Sequence, residues 1–514
     1  MIQYLKVRPL PPELHQWREK IESRAREYGL RPFDTHFEVV SYEKMNELAA
    51  FGGFPTRYPH WRFGMEYERL ARSHEYGLSK IYEMVINTDP CYAYLLEGND
   101  VIDQKIVMAH VFGHCDFFKN NFWFSRTNRK MVDQMANHAT RVRRYQDLYG
   151  TTAVEEFIDV CLSVENLIDR HRPYRPVVRE AEKPKEDLPD ELIGDIEAVP
   201  RIRAKDYMDD FVNPEAYLEE QRKKQKEEAE KKRKFPEEPA RDVLLFLMQN
   251  APLTRWQRNV LGMIRDEAYY FAPQGMTKIM NEGWASYWHA KILTSHPDIM
   301  LPSEVIDFAD RHSGVTATQR GRINPYKIGI ELFRYIEWRW DTGRFGKAWE
   351  ECDDMAERAN WHRPTDRGRE KIFEVRRHHN DITFLDEYLT PEFCAQQRLF
   401  TFAHNPKANE WQIATREFAD VKKKLLFQLT NMGQPIIEVE DANFENRSEL
   451  LLIHRHEGVD LDDGYSRATL RNLFALWKRP VHIASRKADK GVLLSFDGKE
   501  ARSKAWDAAA TAAA

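Results

Sequence analysis

Two histidines four positions apart in a long apolar run constrain this chain more than any other feature. His110 and His114 lie in the run V-M-A-H-V-F-G-H-C-D-F-F-K-N-N, residues 107–121. If the run is helical, both imidazoles leave the same face, with about 6 Å of axial rise between their Cα atoms. That spacing lets two side chains converge on one point, as the histidines of H-E-x-x-H converge on zinc. The run therefore predicts a helix that carries two candidate metal ligands.

A second run supplies a candidate third ligand. Residues 278–292 read K-I-M-N-E-G-W-A-S-Y-W-H-A-K-I. Zincin-type metal helices often read H-E-x-G-H, and they complete the zinc coordination with the carboxylate of a later N-E-G-x-A motif. Asn281–Ala285 matches that later motif letter for letter. We therefore predict that His110, His114 and Glu282 bind zinc or another divalent metal, with water or a further residue in the fourth position.

His289 lies seven residues after Glu282, on the same face of a predicted helix. The separation is about 10 Å along the axis, which is too far for both side chains to bind one ion comfortably. We predict that His289 lines the same cleft and acts on the substrate or the transition state.

The residue after the first histidine departs from the peptidase pattern. Zinc peptidases carry a glutamate there, which takes a proton from the metal-bound water, but this chain carries Val111. Hydrolysis would therefore need a base from elsewhere, and the sequence offers three candidates without ranking them: Asp116, Glu165 and Glu267. Asp116 and Glu267 are also candidate hydrogen-bond acceptors for the metal-binding imidazoles.

A non-catalytic interpretation of the two histidines stays open. Short HxxxH patterns are common by chance, and buried histidines often satisfy their nitrogens within a core. Asp116 and Asn120 are close enough in sequence to serve as such partners. In that case the histidines bind no metal.

A polar turn, R-G-R-I-N-P-Y, precedes a predicted helix at residues 320–326. Arg320, Arg322 and Asn324 are candidates for binding an anionic group of a substrate. The same arginines can instead pair with some of the many carboxylates of the chain.

Composition narrows the class of protein. The 77 basic and 82 acidic side chains give a formal net charge of −5, which does not indicate a nucleic-acid partner. The five cysteines form no C-x-x-C pair, which favours reduced thiols over a disulfide framework. The N-terminus has no signal-peptide core, and no run approaches the ~20 apolar residues of a membrane span. We expect a cytoplasmic protein.

Periodicity predicts a mainly α fold: a helical, zincin-like domain with a few strands, followed by a small α+β domain. The predicted boundaries are 1–404 for the main domain, 405–505 for the C-terminal domain and 506–514 for a frayed tail. A Lys/Glu-rich stretch, about 173–239, is interpreted as a surface excursion, with i,i+4 ion pairs that predict an exposed helix over 214–235. In the C-terminal part we predict a helix over 411–431 and another over 466–477, together with β-like runs at 436–439, 450–454, 481–484 and 492–496.

Several long motifs resemble the stage V sporulation protein R (SpoVR-like) family. They are H-W-R-F-G-M-E-Y-E, G-L-S-K-I-Y-E-M-V-I-N-T-D-P-C-Y-A-Y-L-L-E-G-N, H-V-F-G-H-C-D-F-F-K-N-N, M-N-E-G-W-A-S-Y-W-H and H-N-D-I-T-F-L-D-E-Y-L-T-P-E-F-C. The resemblance implies a role in spore cortex formation or in stationary-phase stress. It also implies two partners, a PrkA-like serine protein kinase and a protein with a von Willebrand factor A-like domain.

Two functions remain open at this stage. The first is a metal-dependent hydrolase that acts on amide bonds, with peptidoglycan-related material as a candidate substrate. The second is a non-catalytic partner of the kinase system, in which the metal site is structural or lost. Val111 favours the second, and the clustering of aromatic and polar residues around the motifs favours the first.

Overall fold

The structure is a computed structural model that describes residues 10–75, 83–175, 219, 223, 234–318, 322–405, 409–488 and 490–506. The chain divides into two compact units. The first comprises Met1–Glu155 and Tyr269–Gln434, and the second comprises Glu156–Ala268 and Pro435–Ala514. The predicted domain boundary at residue 404 falls within the first of these units.

Helices make up most of the described secondary structure, so the predicted mainly α class is confirmed. Short 3-10 helices lie at Phe122–Phe124, Arg172–Tyr174, Pro302–Glu304 and Thr430–Gly433. In chain order the α-helices are α1 (Pro12–Glu27), α2 (Tyr42–Ala50), α3 (Trp61–Glu75), α4 (Val101–Asn120), α5 (Met131–Tyr149), α6 (Thr151–Leu162), α7 (Val243–Asn250), α8 (Arg255–Met276), α9 (Lys278–Ser295), α10 (Val305–Thr316), α11 (Pro325–Asp341), α12 (Lys347–Glu350), α13 (Met355–Ala359), α14 (Gly368–His378), α15 (Asp381–Tyr388), α16 (Pro391–Gln396), α17 (Phe418–Leu429) and α18 (Asp463–Trp477).

In the described residues the strands form three small sheets. The first unit contains a three-stranded sheet of order β1-β3-β2 and a two-stranded hairpin of β4 and β5, and the second unit contains a five-stranded sheet of order β10-β9-β8-β7-β6. The strands are β1 (Thr35–Val40), β2 (Glu83–Ile86), β3 (Cys91–Leu96), β4 (Thr401–Asn405), β5 (Glu410–Thr415), β6 (Ile437–Phe444), β7 (Glu449–His454), β8 (Val481–Lys487), β9 (Lys490–Phe496) and β10 (Ala501–Ala505).

Helix α4 is the central element of the first unit. Nearly every residue of α4 from Ile102 to Phe118 is buried, on all sides of the helix, as expected of a helix surrounded by other elements. Helix α9 packs along α4 on one side and along α11 on the other. The two predicted ligand-bearing runs therefore become neighbouring helices in one core.

The three-stranded sheet brings a further chain segment to α4. Strand β1 pairs with β3 in parallel, and β2 pairs with β3 in antiparallel register, with Glu83 opposite Leu95 and Val85 opposite Ala93. Strand β2 is an edge strand, and Glu83 is its first residue. Both β2 and β3 contact α4.

The second unit is an α+β fold around its five-stranded sheet. Strands β7 and β8 are parallel and are connected by α18, which packs on β8 and β9. The other neighbouring strands of the sheet are antiparallel. This arrangement confirms the prediction of a C-terminal part that contains strands.

One predicted helix was wrong at its start. Residues 411–415 belong to strand β5, and α17 begins only at Phe418. These residues pair with β4 in antiparallel register, Trp411 with His404 and Ile413 with Phe402, so the segment takes its hydrogen bonds from a neighbouring strand instead of from a helix. Of the predicted exposed helix over 214–235, only Glu219, Lys223, Lys234 and Phe235 lie within the described residues, and Glu219 and Lys223 are helical and exposed.

The cysteines and the helix lengths bear on two predictions from composition. All five cysteines are free, and every one except Cys352 is buried. Within the described ranges, no helix combines the length and the apolar character that crossing a membrane requires.

Candidate metal centre

Four side chains from three elements of the first unit converge on one point. His110 and His114 come from α4, Glu282 from α9 and Glu83 from the start of β2. The Nε2 atom of His110 lies 3.2 Å from Oε1 of Glu83 and 3.4 Å from Oε2 of Glu282. The Nε2 atom of His114 lies 3.9 Å and 3.5 Å from the same two oxygens. Together the four groups offer ligand atoms that all lie within 4.8 Å of one another.

These distances fit the coordination shell of a small divalent metal. Zinc binds imidazole nitrogen and carboxylate oxygen at about 2.0–2.2 Å, so neighbouring ligands of a tetrahedral site lie about 3.4 Å apart. Three of the four nitrogen–oxygen distances are within a few tenths of an ångström of that value. Two imidazoles and two carboxylates also suit other divalent ions, so the set is not specific to zinc.

The second nitrogen of each histidine has a neutral partner. His114 Nδ1 lies 2.9 Å from Oδ1 of Asn281, and His110 Nδ1 lies 2.9 Å from Nδ1 of His289. His289 Nε2 in turn lies 3.1 Å from Nδ1 of His312. If each Nδ1 of the pair on α4 donates its proton outward, both Nε2 lone pairs face the carboxylates. That is the tautomer a metal requires.

Without a metal, protonated histidines balance the negative charges of the two carboxylates. Burial lowers the pKa of both imidazoles, but the charge of Glu83 raises the pKa of His110, and hydrogen bonds with Glu282 and Glu83 raise the pKa of His114 to about 10. Burial likewise works to raise the carboxyl values, but the charge of His110 lowers the pKa of Glu83 to about 2. Hydrogen bonds with the two histidines hold the pKa of Glu282 well below its usual value. The two neighbouring carboxylates thus attract either two protons or one divalent cation.

Small residues set the distance between the ligand-bearing helices. A Cβ at Gly113 would lie 2.7 Å from the Cα of Ala285, so α4 and α9 approach backbone to backbone at this level. On the other side of α9, a Cβ at Gly283 would lie 2.4 Å from the Cα of Gly329 on α11. The glycine of H-V-F-G-H and the glycine and alanine of N-E-G-W-A therefore allow the close packing that brings Glu282 to the histidines.

Asp381 holds the start of α9. Its carboxylate accepts the backbone N–H groups of Ile279, at 2.8 Å, and Met280, at 2.9 Å. These groups lie in the first turn of the helix, where N–H groups have no partner within the helix. Burial raises the pKa of Asp381 to about 7, although the two N–H groups favour its charged form. The residue comes from the H-N-D-I motif, so that motif fixes the segment that carries Asn281 and Glu282.

Two further side chains border the cluster. The ring of Tyr326 stacks on His110 with 6.2 Å between centroids. Burial and the charges of Glu282 and Glu83 raise the pKa of Tyr326, so the hydroxyl keeps its proton. Lys278 lies 2.5 Å from Oε1 of Glu282. The side chain of Lys278 is 57% exposed and that of Glu83 is 24% exposed, so solvent reaches the cluster from their side.

The structure places the predicted site residues differently. His110, His114 and Glu282 are brought together, and His289 touches His110 from behind instead of facing the point of convergence. Asp116 is fully buried and connects helices: it accepts hydrogen bonds from the backbone of Arg31, at 2.7 Å, and from Nε1 of Trp284, at 2.9 Å.

The remaining candidates belong to the second unit, fall outside the described residues or serve the fold. Glu165 and Glu267 belong to the second unit, whereas the four-residue cluster belongs to the first. Arg320 lies outside the described residues, and Arg322 is exposed. Asn324 caps α11: its Oδ1 accepts the backbone N–H of Lys327 at 3.2 Å. Catalytic and substrate-binding roles for these residues stay predictions.

Sequence reasoning missed Glu83, Asn281 and Tyr326. Glu83 comes from a strand 27 residues before His110, so no helical spacing links it to the other ligands. The one available signal was its place inside the long motif that ends in Y-E-M-V-I-N. Asn281 stands inside the matched N-E-G-W-A motif, but that match gave no role to its amide.

Comparison with known proteins assigns the chain to a family. A family described as SpoVR like protein matches residues 10–434, and a SpoVR-like C-terminal domain matches residues 435–488. The chain therefore belongs to the SpoVR-like family, as its motifs predicted. It is 29% identical over 501 residues to the uncharacterized protein YcgB of Escherichia coli (strain K12), a match that covers 92% of each chain. No solved structure matches the chain.

Proposed function

We propose that this SpoVR-like protein binds a divalent metal, most simply zinc, between Glu83, His110, His114 and Glu282, and uses it to hydrolyse amide bonds. The observation that carries the proposal is the convergence of two imidazole Nε2 atoms and two carboxylates, with both Nδ1 atoms held by neutral partners. A metal at this point would polarise a water molecule or a carbonyl oxygen.

Glu83 can supply the base that Val111 cannot. Val111 is fully buried and has no proton acceptor. Glu83 is the most exposed of the four clustered side chains, and its Oε1 lies 3.2 Å from Nε2 of His110. In this arrangement His110, His114 and Glu282 would hold the metal, and the Glu83 carboxylate would accept a proton from the attacking water. The peptidase base would thus come from a strand instead of from the metal-binding helix.

Tyr326 and Lys278 are the candidate donors to the developing oxyanion. The Tyr326 hydroxyl keeps its proton because burial and nearby carboxylates raise its pKa. The Lys278 ammonium reaches the cluster from solvent and contacts Glu282. Preorganised donors of this kind stabilise the negative charge that forms when water attacks an amide.

The substrate and setting follow from the family and stay proposals. We infer that the amide lies in peptidoglycan-related material, in keeping with a role in spore cortex formation or stationary-phase stress. With a cytoplasmic location, the accessible substrates would be soluble precursors or fragments of peptidoglycan. A PrkA-like kinase and a von Willebrand factor A-like protein are the proposed partners.

A second function is favoured by the completeness of the cluster. If Glu83 binds the metal directly, four protein groups close the coordination shell, which is the arrangement of structural zinc sites. The chain would then be a non-catalytic partner of the kinase system, stabilised by its metal. Val111 agrees with this alternative.

Replacement of Glu83 separates the two functions. We would load the Glu83→Gln variant with zinc and incubate it with soluble muropeptides, and mass spectrometry would detect new amino termini. The hydrolase predicts retained metal with cleavage reduced at least about 100-fold, since a general base contributes about 10²–10⁴-fold. The structural site predicts weaker metal binding, a lower Tm and no cleavage by any form. Glu13→Gln, at an exposed position on α1, is the control and should behave as the wild type.

A further inference from the structure

A second site of the first unit lies apart from the metal cluster. A cavity of about 830 Å³ is lined by the start of α11, the segment after α16, the β4–β5 hairpin and α17. Pockets for small molecules usually measure about 300–1,000 Å³. None of the four clustered residues is among the described residues that line this cavity. Apolar side chains form much of its wall, among them Ile323, Ile328, Leu399, Phe402, Trp411 and Leu425.

The charged groups of the cavity are mostly basic. Lys327 is paired with Glu331 at 3.2 Å, and Lys424 donates to the backbone oxygen of Phe402 at 3.1 Å. Arg322 and Arg398 are exposed and have no carboxylate within ion-pair distance in the part of the chain that the structure describes. Against a single acidic side chain, Glu410, the cavity is lined by four cations: Arg322, Lys327, Arg398 and Lys424.

We propose that this cavity binds a small amphiphile with one anionic head group, a carboxylate or a phosphate, and an apolar body. The guanidinium groups of Arg322 and Arg398 bind the head group, because their planar donor pairs match the oxygens of either anion. The apolar wall accepts the body and gains from its removal from water. A free inorganic anion would leave this wall uncovered, and a neutral lipid would leave the two guanidinium groups without a partner.

The amphiphile site goes beyond the proposed hydrolysis and does not depend on it. The first turn of α11 separates the two sites: Asn324 and Lys327 line the cavity, whereas the ring of Tyr326 stacks on His110. A bound amphiphile would therefore contact the helix that carries Tyr326. Binding itself requires no metal, so it can be measured on protein treated with a chelator.

The direct test is binding of 11-(dansylamino)undecanoic acid, whose fluorescence rises in an apolar site. We expect saturable binding to the full chain at a stoichiometry of one, equal with and without zinc. Dodecanoate and dodecyl phosphate should both displace the probe, and the more effective of the two identifies the preferred head group. Dodecanol, which has the same body without the charge, should require at least about tenfold more.

Variants at exposed positions test the assignment without threatening the fold. The double substitution Arg322→Gln with Arg398→Gln should weaken probe binding about tenfold, as expected for two partly solvated ion pairs. Ile413→Glu places a negative charge at the wall and should weaken binding further. Arg126→Gln, at an exposed arginine outside the cavity, is the matched control and should bind as the wild type.

Three results would each overturn the proposal. They are the absence of saturable binding, displacement by dodecanol as effective as displacement by dodecanoate, and full affinity in the double arginine variant. None of them would bear on the metal centre, whose test uses Glu83→Gln and metal content.

Discussion

Substitution of Gly113 by alanine should separate α4 from α9 and weaken metal binding. The new Cβ would lie 2.7 Å from the Cα of Ala285 and 3.2 Å from its Cβ. Relaxing the shorter contact to an ordinary carbon–carbon distance requires the helices to part by roughly 1 Å. Metal–ligand distances tolerate only about 0.2 Å, so Glu282 can no longer complete the site formed by the histidines. We expect a loss of metal affinity of about 10- to 100-fold, the range for altered supports of metal ligands.

The effect on stability is the difference of two terms. Overpacking a core costs about 1–3 kcal/mol, and replacing glycine by alanine inside a helix contributes about 1 kcal/mol in the opposite direction. Because the obstacle is backbone and not a flexible side chain, strain should win, with a net loss of about 1 kcal/mol. Gly64→Ala is the control: a Cβ there meets nothing within 4 Å, so this variant should be as stable as the wild type or more so, with unchanged metal affinity.

Competition with a chromophoric chelator measures the affinity, and thermal unfolding measures the stability. The reasoning is refuted if Gly113→Ala binds zinc as tightly as the wild type and melts at the same temperature. In that case α4 and α9 would accommodate the added Cβ despite the 2.7 Å distance to Ala285.

Three further predictions concern the same centre. Metal binding must displace protons from His110 and His114, whose pKa values are raised in the metal-free protein. Metal affinity should therefore rise with pH, by up to about 100-fold per pH unit where two protons are released. Calorimetry in buffers of different ionisation enthalpy counts the released protons, and a count of zero would contradict this prediction. Burial raises the pKa of Asp381 to about 7, so its contribution to stability is fully present below about pH 4 and is lost as the pH rises through 7. The Asp381→Asn variant should lack this pH dependence, which amounts to on the order of 4 kcal/mol. Parallel curves of stability against pH for the variant and the wild type would contradict the prediction. Asn281→Ala removes the acceptor of His114 Nδ1 and should lower metal affinity about 10- to 100-fold with little change in the far-UV spectrum, whereas unchanged affinity would deny the amide a supporting role.

Local patterns made most of the helical part predictable. The apolar run around His110 and His114 has helical spacing of its ligands, and its glycine is the point at which Ala285 of α9 approaches α4. The later N-E-G-W-A motif predicted Glu282 as a ligand because it matches the motif that supplies the carboxylate ligand in zincins. These signals lie within single helices, so they can be recognised without knowing how the chain folds.

Contacts between distant segments could not be predicted in the same way. Glu83 joins the cluster because β2 pairs with β3 and both contact α4, and none of these pairings leaves a periodic signal around residue 83. Asp116 was one of three candidate bases that the sequence could not rank. On a helix a step of two residues turns a side chain to another face, and the Asp116 carboxylate accepts hydrogen bonds from Arg31 and Trp284. A catalytic role for Asp116 stays a prediction.

Metal content is the measurement that tests the central claim most directly. Protein purified without added metal would be analysed by inductively coupled plasma mass spectrometry, beside the variants His114→Ala and Glu282→Gln and the control Glu13→Gln. We predict close to one equivalent of a divalent metal, most simply zinc, in the wild type and the control, and less than about a tenth of an equivalent in both ligand variants, with their folds retained. A wild-type protein that contains no metal and fails to take up zinc on addition would contradict the claim, and the histidines would then be core residues neutralised by Glu83 and Glu282.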